Sequence, residues 1–164
     1  RAKNALAISL VAEVDGRVVG HIAFSPVTMP DGTQNWYGLG PVSVHPGFQR
    51  QGLGKALIHE GLSRLKKLNA QGCCLVGHPQ YYRQFGFKNV EELALEGVPK
   101  EVFFVLPFDG HIPIGNVIFH TAFQAMADEL FYAKIVTEPR FFVGSQEAGM
   151  ESSLDKPVPG LTCK

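Results

Sequence analysis

The run Gly40-Pro-Val-Ser-Val-His-Pro-Gly-Phe-Gln-Arg-Gln-Gly-Leu-Gly-Lys55 joins an apolar extended stretch, a glycine-bearing turn and the start of an amphipathic segment. That order, strand, glycine turn and helix N-terminus, suits phosphate binding. The first backbone N–H groups of a helix have no intrahelical acceptor, and the helix dipole places positive potential at the same end. Gly52 and Gly54 let the main chain approach a pyrophosphate with no side chain in the way, and Arg50 and Lys55 flank the turn with positive charge. These residues predict a nucleotide-like ligand.

Two common phosphate loops do not account for the corner. The dinucleotide fingerprint needs G-x-G-x-x-G, with an acidic residue about 20 positions on, but Gly52-Leu53-Gly54 is followed by Ala56 and Leu57. The Walker pattern needs Gly-Lys-Ser/Thr, and Lys55 is followed by Ala56. What matches is Gln49-x-x-Gly52-x-Gly54, which resembles the acyl-CoA pyrophosphate loop, Q/R-x-x-G-x-G/A, of the GNAT superfamily of N-acyltransferases. Upstream, Pro41-Val-Ser-Val-His-Pro46 resembles the central strand of that family; downstream, Tyr82-Arg-Gln-Phe-Gly-Phe87 resembles its Y-x-x-x-G-F signature. The wording of His21 to Val27, Gly77 to Phe87 and Gly115 to His120 is most similar to the YhbS-like subgroup of predicted acetyltransferases. The resemblance spans roughly residues 5 to 126, with boundary error of a few positions.

The resemblance implies an acetyl group carried by acetyl-CoA and transferred to a primary amine, on a small molecule or on a protein, by direct attack. It implies that Val42, Ser43 and Val44 pair with the pantetheine arm and that Gln49, Arg50, Gln51, Gly52, Leu53, Gly54 and Lys55 hold the phosphates. The chemistry of such a transfer sets three requirements. An amine of pKa near ~10.4 must lose a proton before it attacks the thioester. The tetrahedral oxyanion needs an N–H donor, which a bulged strand can supply. The departing thiolate leaves more readily if protonated, and a phenol of pKa about 10 still carries its proton at pH 7. By resemblance Tyr82 occupies the general-acid position, whereas Tyr81 reads as packing. The base has no carboxylate candidate, because no acidic residue lies between Asp31 and Glu60. His45, after the strand, and His78, before the tyrosine segment, are the remaining candidates, as imidazole ionises near ~6.5 and can take a proton through water.

The elements that position these groups follow from periodicity. Ile8 to Val14 and Val18 to Val27 flank Asp15-Gly16, which predicts a two-residue hairpin. Trp36 to Val44 supplies a third strand after the turn residues Met29 to Asn35. Leu53, Leu57, Gly61, Leu65 and Leu68 recur at helical spacing, with Ile58 and Leu62 beside them. Gly72-Cys-Cys-Leu-Val-Gly77 reads as a short strand buried on both faces. Pro79 and Gly86 bound about two helical turns over Gln80 to Phe85, and further strands are predicted at Val102 to Leu106 and Asn116 to Phe119. The fold class expected is α/β (α+β): a mixed, mostly antiparallel sheet flanked by helices, with the family's N-terminal strand and two helices missing. Residues 1–126 form the acyl-CoA-binding domain and 127–164 a divergent extension, in which Leu130, Phe131, Tyr132, Phe141 and Phe142 are apolar enough to cover a surface.

Composition narrows the partners. With 164 residues, 45% of them hydrophobic, and a formal net charge of zero, one domain with a real core is expected, without bias toward nucleic acid or anionic membrane. No apolar run reaches the length of a bilayer span. The 3 cysteines form neither a disulfide framework nor a zinc pattern, which fits a reducing, cytoplasmic setting. His21, His59, His111 and His120 lack paired ligand spacing, so no catalytic metal is expected. A homodimer is compatible with these features. The competing reading is a CoA-binding or regulatory module without turnover, motivated by the missing carboxylate base and the short N-terminus.

Overall fold

Asp15 and Gly16 take positive φ, 50° and 75°, and turn the chain between β1 (Ile8–Val14) and β2 (Arg17–Thr28) as the predicted hairpin. The computed structural model describes residues 7–119 and the backbone of residues 161–163. After β2 come β3 (Trp36–Val44), α1 (Leu53–Lys67), β4 (Gly72–Val76), α2 (Pro79–Tyr82), β5 (Leu93–Ala94), β6 (Phe103–Pro107), β7 (Gly115–Asn116), β8 (Ile118–Phe119) and β9 (Leu161–Cys163). The main sheet runs β6-β4-β3-β2-β1-β9, with β8 paired to the end of β2. Within it β3 and β4 are parallel and every other described pair is antiparallel. The parallel pair requires a crossover, and α1 is that crossover. A second small sheet pairs β5 with β7. This is the mixed, mostly antiparallel α/β architecture expected.

Two apolar clusters cover the two faces of the sheet. On one, Leu53, Leu57, Ile58, Leu62 and Leu65 of α1 pack over Leu10, Ala12, Ile22, Phe24, Val42 and Val44. Each such aliphatic side chain contributes about 1.5–3 kcal/mol when fully buried, so the 3.6-residue stripe is what docks α1. On the other, Trp36, Cys74, Phe103, Val105, Leu93, Val117 and Phe119 pack together. β4 is thus covered on both faces, which is why it reads as an uninterrupted apolar run.

Several strand ends shift by one residue from the sequence expectation, and three differences have a local physical reason. The segment Gln80 to Phe85 is not one helix: α2 ends at Tyr82 and Arg83–Phe85 continue as a 3₁₀ turn closed by Gly86 at φ 93°. So tight a close, Gly86 N–H donating to the Arg83 carbonyl at 3.1 Å, favours the three-residue repeat. Strand β6 begins one residue later than expected because Lys100–Val102 form a 3₁₀ turn. The Asn116 to Phe119 strand is divided: Val117 turns into the second cluster, and the flanking pieces pair with different partners, β5 and β2. Apart from the backbone of β9, the expected 127–164 extension lies outside the described residues.

Cys73 and Cys74 are fully buried free thiols. Burial pushes the Cys73 thiol well up, with the neighbouring Cys74 adding to it, and burial alone raises Cys74. Unfolded thiols ionise near ~8.5, whereas the folded ones keep their protons, so above that pH the folded state binds more protons than the unfolded state. Stability is therefore fully present below about pH 8 and falls as pH rises, by about 1.4 kcal/mol per pH unit for each thiol. Urea unfolding at pH 7 and pH 10 should show a lower midpoint at pH 10, with a shallower decline in a Cys73→Ala/Cys74→Ala variant. An equally steep decline in that variant would assign the pH dependence to other groups.

Candidate active site

Strands β3 and β4 part company partway along their length. Their pairing covers Trp36–Gly72, Tyr37–Cys73 and Gly38–Cys74 and then stops, while β3 continues to Val44 against β2. Along residues 39 to 44, no described strand covers the β4 side of β3. An extended ligand carrying amides can bond to such an edge as an added strand would.

The divergence coincides with a bulge. Two pairs of the β2–β3 ladder, Ile22–Val42 and Phe24–Leu39, enclose Ala23 on β2 but Gly40 and Pro41 on β3. The extra residue reverses the alternation. Tyr37 and Leu39 lie with the α1-side cluster before the bulge, and Val42 and Val44 lie with it afterwards. Ser43 and Pro41 are exposed. A bulge bends the strand and disrupts the ladder; of the two residues in this one, Pro41 has no N–H and Gly40 carries the main-chain donor.

At the far end of the opening lies the glycine corner. The Gln49 side-chain Nε2 donates to the Val44 carbonyl at 3.1 Å and so folds the turn back onto the strand. Arg50 adopts φ 62°, a left-handed conformation uncommon for a side-chain-bearing residue. Gly52, at φ 82°, is the N-cap of α1 and offers no side-chain cap; a Cβ there would meet nothing within 4 Å, so it is the backbone angle that calls for glycine. Gln51 is exposed, Leu53 and Gly54 are buried and Lys55 is half-buried. The first turn of α1 contains no acidic residue, which keeps the positive end of the helix dipole uncancelled by neighbouring carboxylates.

Across the opening, β4 ends at Val76 and α2 starts three residues later. Tyr82 is 1% exposed, its ring set among Phe85, Phe87, Phe104 and Tyr81 with centroids 5.0–6.5 Å away. Gly77 leaves the room the ring takes up: a Cβ at Gly77 would fall 2.1 Å from Tyr82 Cε2. In the sequence Gly77 marks only the end of the apolar run and the start of the Gly77 to Phe87 resemblance. Burial raises the Tyr82 hydroxyl above its usual range, so it stays protonated through neutral pH and beyond. Tyr81, read as packing, is fully buried.

Both candidate bases double as helix caps. His45 Nδ1 accepts from the Gly47 N–H at 3.1 Å, and His78 Nδ1 accepts from the Gln80 N–H at 3.4 Å. A neutral imidazole accepting at Nδ1 carries its proton on Nε2, so either ring must release its cap before taking a proton at that nitrogen. Among the described residues no group of three His, Cys, Asp or Glu side chains could hold a metal ion, and no helix is long and apolar enough to cross a membrane.

Comparison with known proteins matches this arrangement to one family. Residues 6–89 match the model of the acetyltransferase (GNAT) domain. The chain is 36% identical over 89 residues to the uncharacterized N-acetyltransferase YhbS of Escherichia coli K12, covering 54% of this chain and 53% of that protein. It is 34% identical over 84 residues to the uncharacterized N-acetyltransferase YjhQ of the same strain, covering 50% and 46%. The chain thus spans about half the length of the curated relatives it matches. Among solved structures, a GNAT family acetyltransferase from Brucella melitensis in complex with acetyl-CoA is 50% identical with a TM-score of 0.62, covering 73% of this chain and 70% of that one. Escherichia coli YhbS in complex with CoA is 30% identical with a TM-score of 0.65 over the same shares. With a family match across just over half of its length and a fold shared with both structures, this chain belongs to the GNAT acetyltransferase family.

Proposed function

We propose that the protein is an N-acetyltransferase that takes the acetyl group from acetyl-CoA and passes it to a primary amine by direct attack. The observation that carries the reading is the opening between β3 and β4, with a bulge at one end and, at the other, the N-terminus of α1 behind the positive-φ residues Arg50 and Gly52. In this reading the pantetheine arm pairs with Val42, Ser43 and Val44. The pyrophosphate lies against Gly52, Leu53 and Gly54, with Arg50 and Lys55 adding charge, Gln51 beside it and Gln49 shaping the turn. The backbone N–H at the bulge receives the oxyanion, where fixed dipoles are worth most. Tyr82 protonates the departing thiolate from the β4 side.

For the base, His78 is the first choice and His45 the second. The His78 cap is the longer of the two and so gives way more easily to a water, and His78 stands on the same side of the opening as Tyr82. The acceptor is a small-molecule amine or an exposed protein amine, and the unpaired thiols suit a cytoplasmic protein. Incubating the protein with acetyl-CoA and a panel of amines, including spermidine, tyramine and a lysine-containing peptide, tests the reading. Free CoA and acetylated amine should appear in equal amounts. Tight acetyl-CoA binding with no acceptor-dependent CoA release would instead make the protein a CoA-binding module.

A further inference from the structure

Tyr82 is gripped by two stretches of chain that approach it from different directions. One is the segment that follows it, which supplies Phe85 and Phe87; the other is the start of β6, which supplies Phe104. A ring held between two independent walls stays in place only if the walls are tied to each other.

At the Tyr82 end of the segment one side chain makes that tie. Asn89 Nδ2 donates to the Phe103 carbonyl at 2.9 Å and to the Lys100 carbonyl at 2.7 Å. Its Oδ1 accepts from Arg83 Nη2 at 3.1 Å. The amide therefore joins the guanidinium of the residue after Tyr82 to the residue before Phe104, and to the 3₁₀ turn that leads into β6. Its full donor and acceptor sets face different segments, an arrangement that a hydroxyl or a carboxylate cannot copy. A second tie lies beside it: Lys88 and Val105, the residues next to Phe87 and Phe104, exchange two main-chain bonds that hold the far end of the segment to β6 and leave its Arg83 end to Asn89, while Lys100 pairs with Glu91 at the surface, where ion pairs are weak.

We propose that Asn89 is a positioning residue for the reaction, holding the Tyr82 hydroxyl at its donating position by locking the Arg83 end of the 83–87 segment to the start of β6, beside the Lys88–Val105 main-chain bonds that hold the other end. The inference rests on the reading of Tyr82 as general acid. A displacement of about 1 Å in a reacting group can cost up to about 10²-fold in rate, so loss of the tie acts on turnover rather than on cofactor binding.

A double-mutant cycle in kcat tests it, using Asn89→Ala, Tyr82→Phe and the pair, with the best acceptor of the amine panel. Asn89→Ala should lower kcat by about ten-fold with acetyl-CoA affinity unchanged, and should have almost no further effect in the Tyr82→Phe background. If Asn89→Ala does not fold, the isosteric Asn89→Asp replaces it, because it keeps the acceptor toward Arg83 and removes the two donated bonds. Equal losses in both backgrounds, or no loss, overturn the inference while leaving the acid assignment standing. If Tyr82→Phe alone leaves kcat unchanged, or the wild type turns over none of the amines, the underlying reading fails and the inference with it.

Discussion

Replacing Tyr82 by phenylalanine is expected to lower turnover by about 10²–10⁴-fold, the range for loss of a positioned acid, while acetyl-CoA affinity changes little. The substitution keeps the ring, and with it the contacts to Phe85, Phe87 and Phe104, so the only group removed is the proton donor. Because burial raises the hydroxyl, the acid form persists at every pH below that raised value. The wild-type rate should therefore show no alkaline decline attributable to Tyr82 in the neutral range. An interaction made only in the transition state lowers kcat and kcat/KM together, whereas a packing role would lower the melting point and leave kcat alone. Steady-state kinetics beside calorimetric acetyl-CoA titration separate the two, and an unaltered kcat removes Tyr82 from the chemistry.

Gly54→Asp is expected to weaken acetyl-CoA binding by on the order of 10²-fold or more, because it sets a carboxylate and added bulk against the phosphates, and a like-charge contact across an interface costs several kcal/mol. The position makes the result interpretable. Gly54 is the second residue of α1, where an acidic side chain complements the helix dipole, so the helix itself is not weakened by the new charge. Circular dichroism and the melting point serve as controls for the fold. A folded Gly54→Asp variant with wild-type affinity would place the pyrophosphate elsewhere.

Much of this arrangement was legible before any coordinates. The hairpin at Asp15-Gly16, the extent of β3 and the α1 stripe follow from turn chemistry and periodicities of 2 and 3.6, which are local properties of the chain. The bulge was legible in principle, since the apolar positions of β3 shift from odd, Tyr37 and Leu39, to even, Val42 and Val44. What could not be read is set by contacts distant in sequence. Gly77 matters because the Tyr82 ring occupies the space of a Cβ, and no local pattern announces that. Asn89 matters because Arg83 and the stretch from Lys100 to Phe103 converge on it. The end of pairing between β3 and β4 at Gly38–Cys74 is likewise a tertiary event. Imidazole chemistry alone makes the two histidines candidate bases, and their capping roles come from backbone angles at His45 and His78 that composition does not encode.

The central claim is that acetyl-CoA lies along the open edge of β3 with its phosphates at the start of α1. Titrating isotope-labelled protein with acetyl-CoA, and following backbone amide resonances, tests it most directly. The account predicts that the largest shifts fall on Gly40, Val42, Ser43 and Val44 and on Gly52, Leu53, Gly54 and Lys55, as one saturating process. Saturable binding that leaves those amides unmoved, with shifts confined to other parts of the sheet, would contradict it.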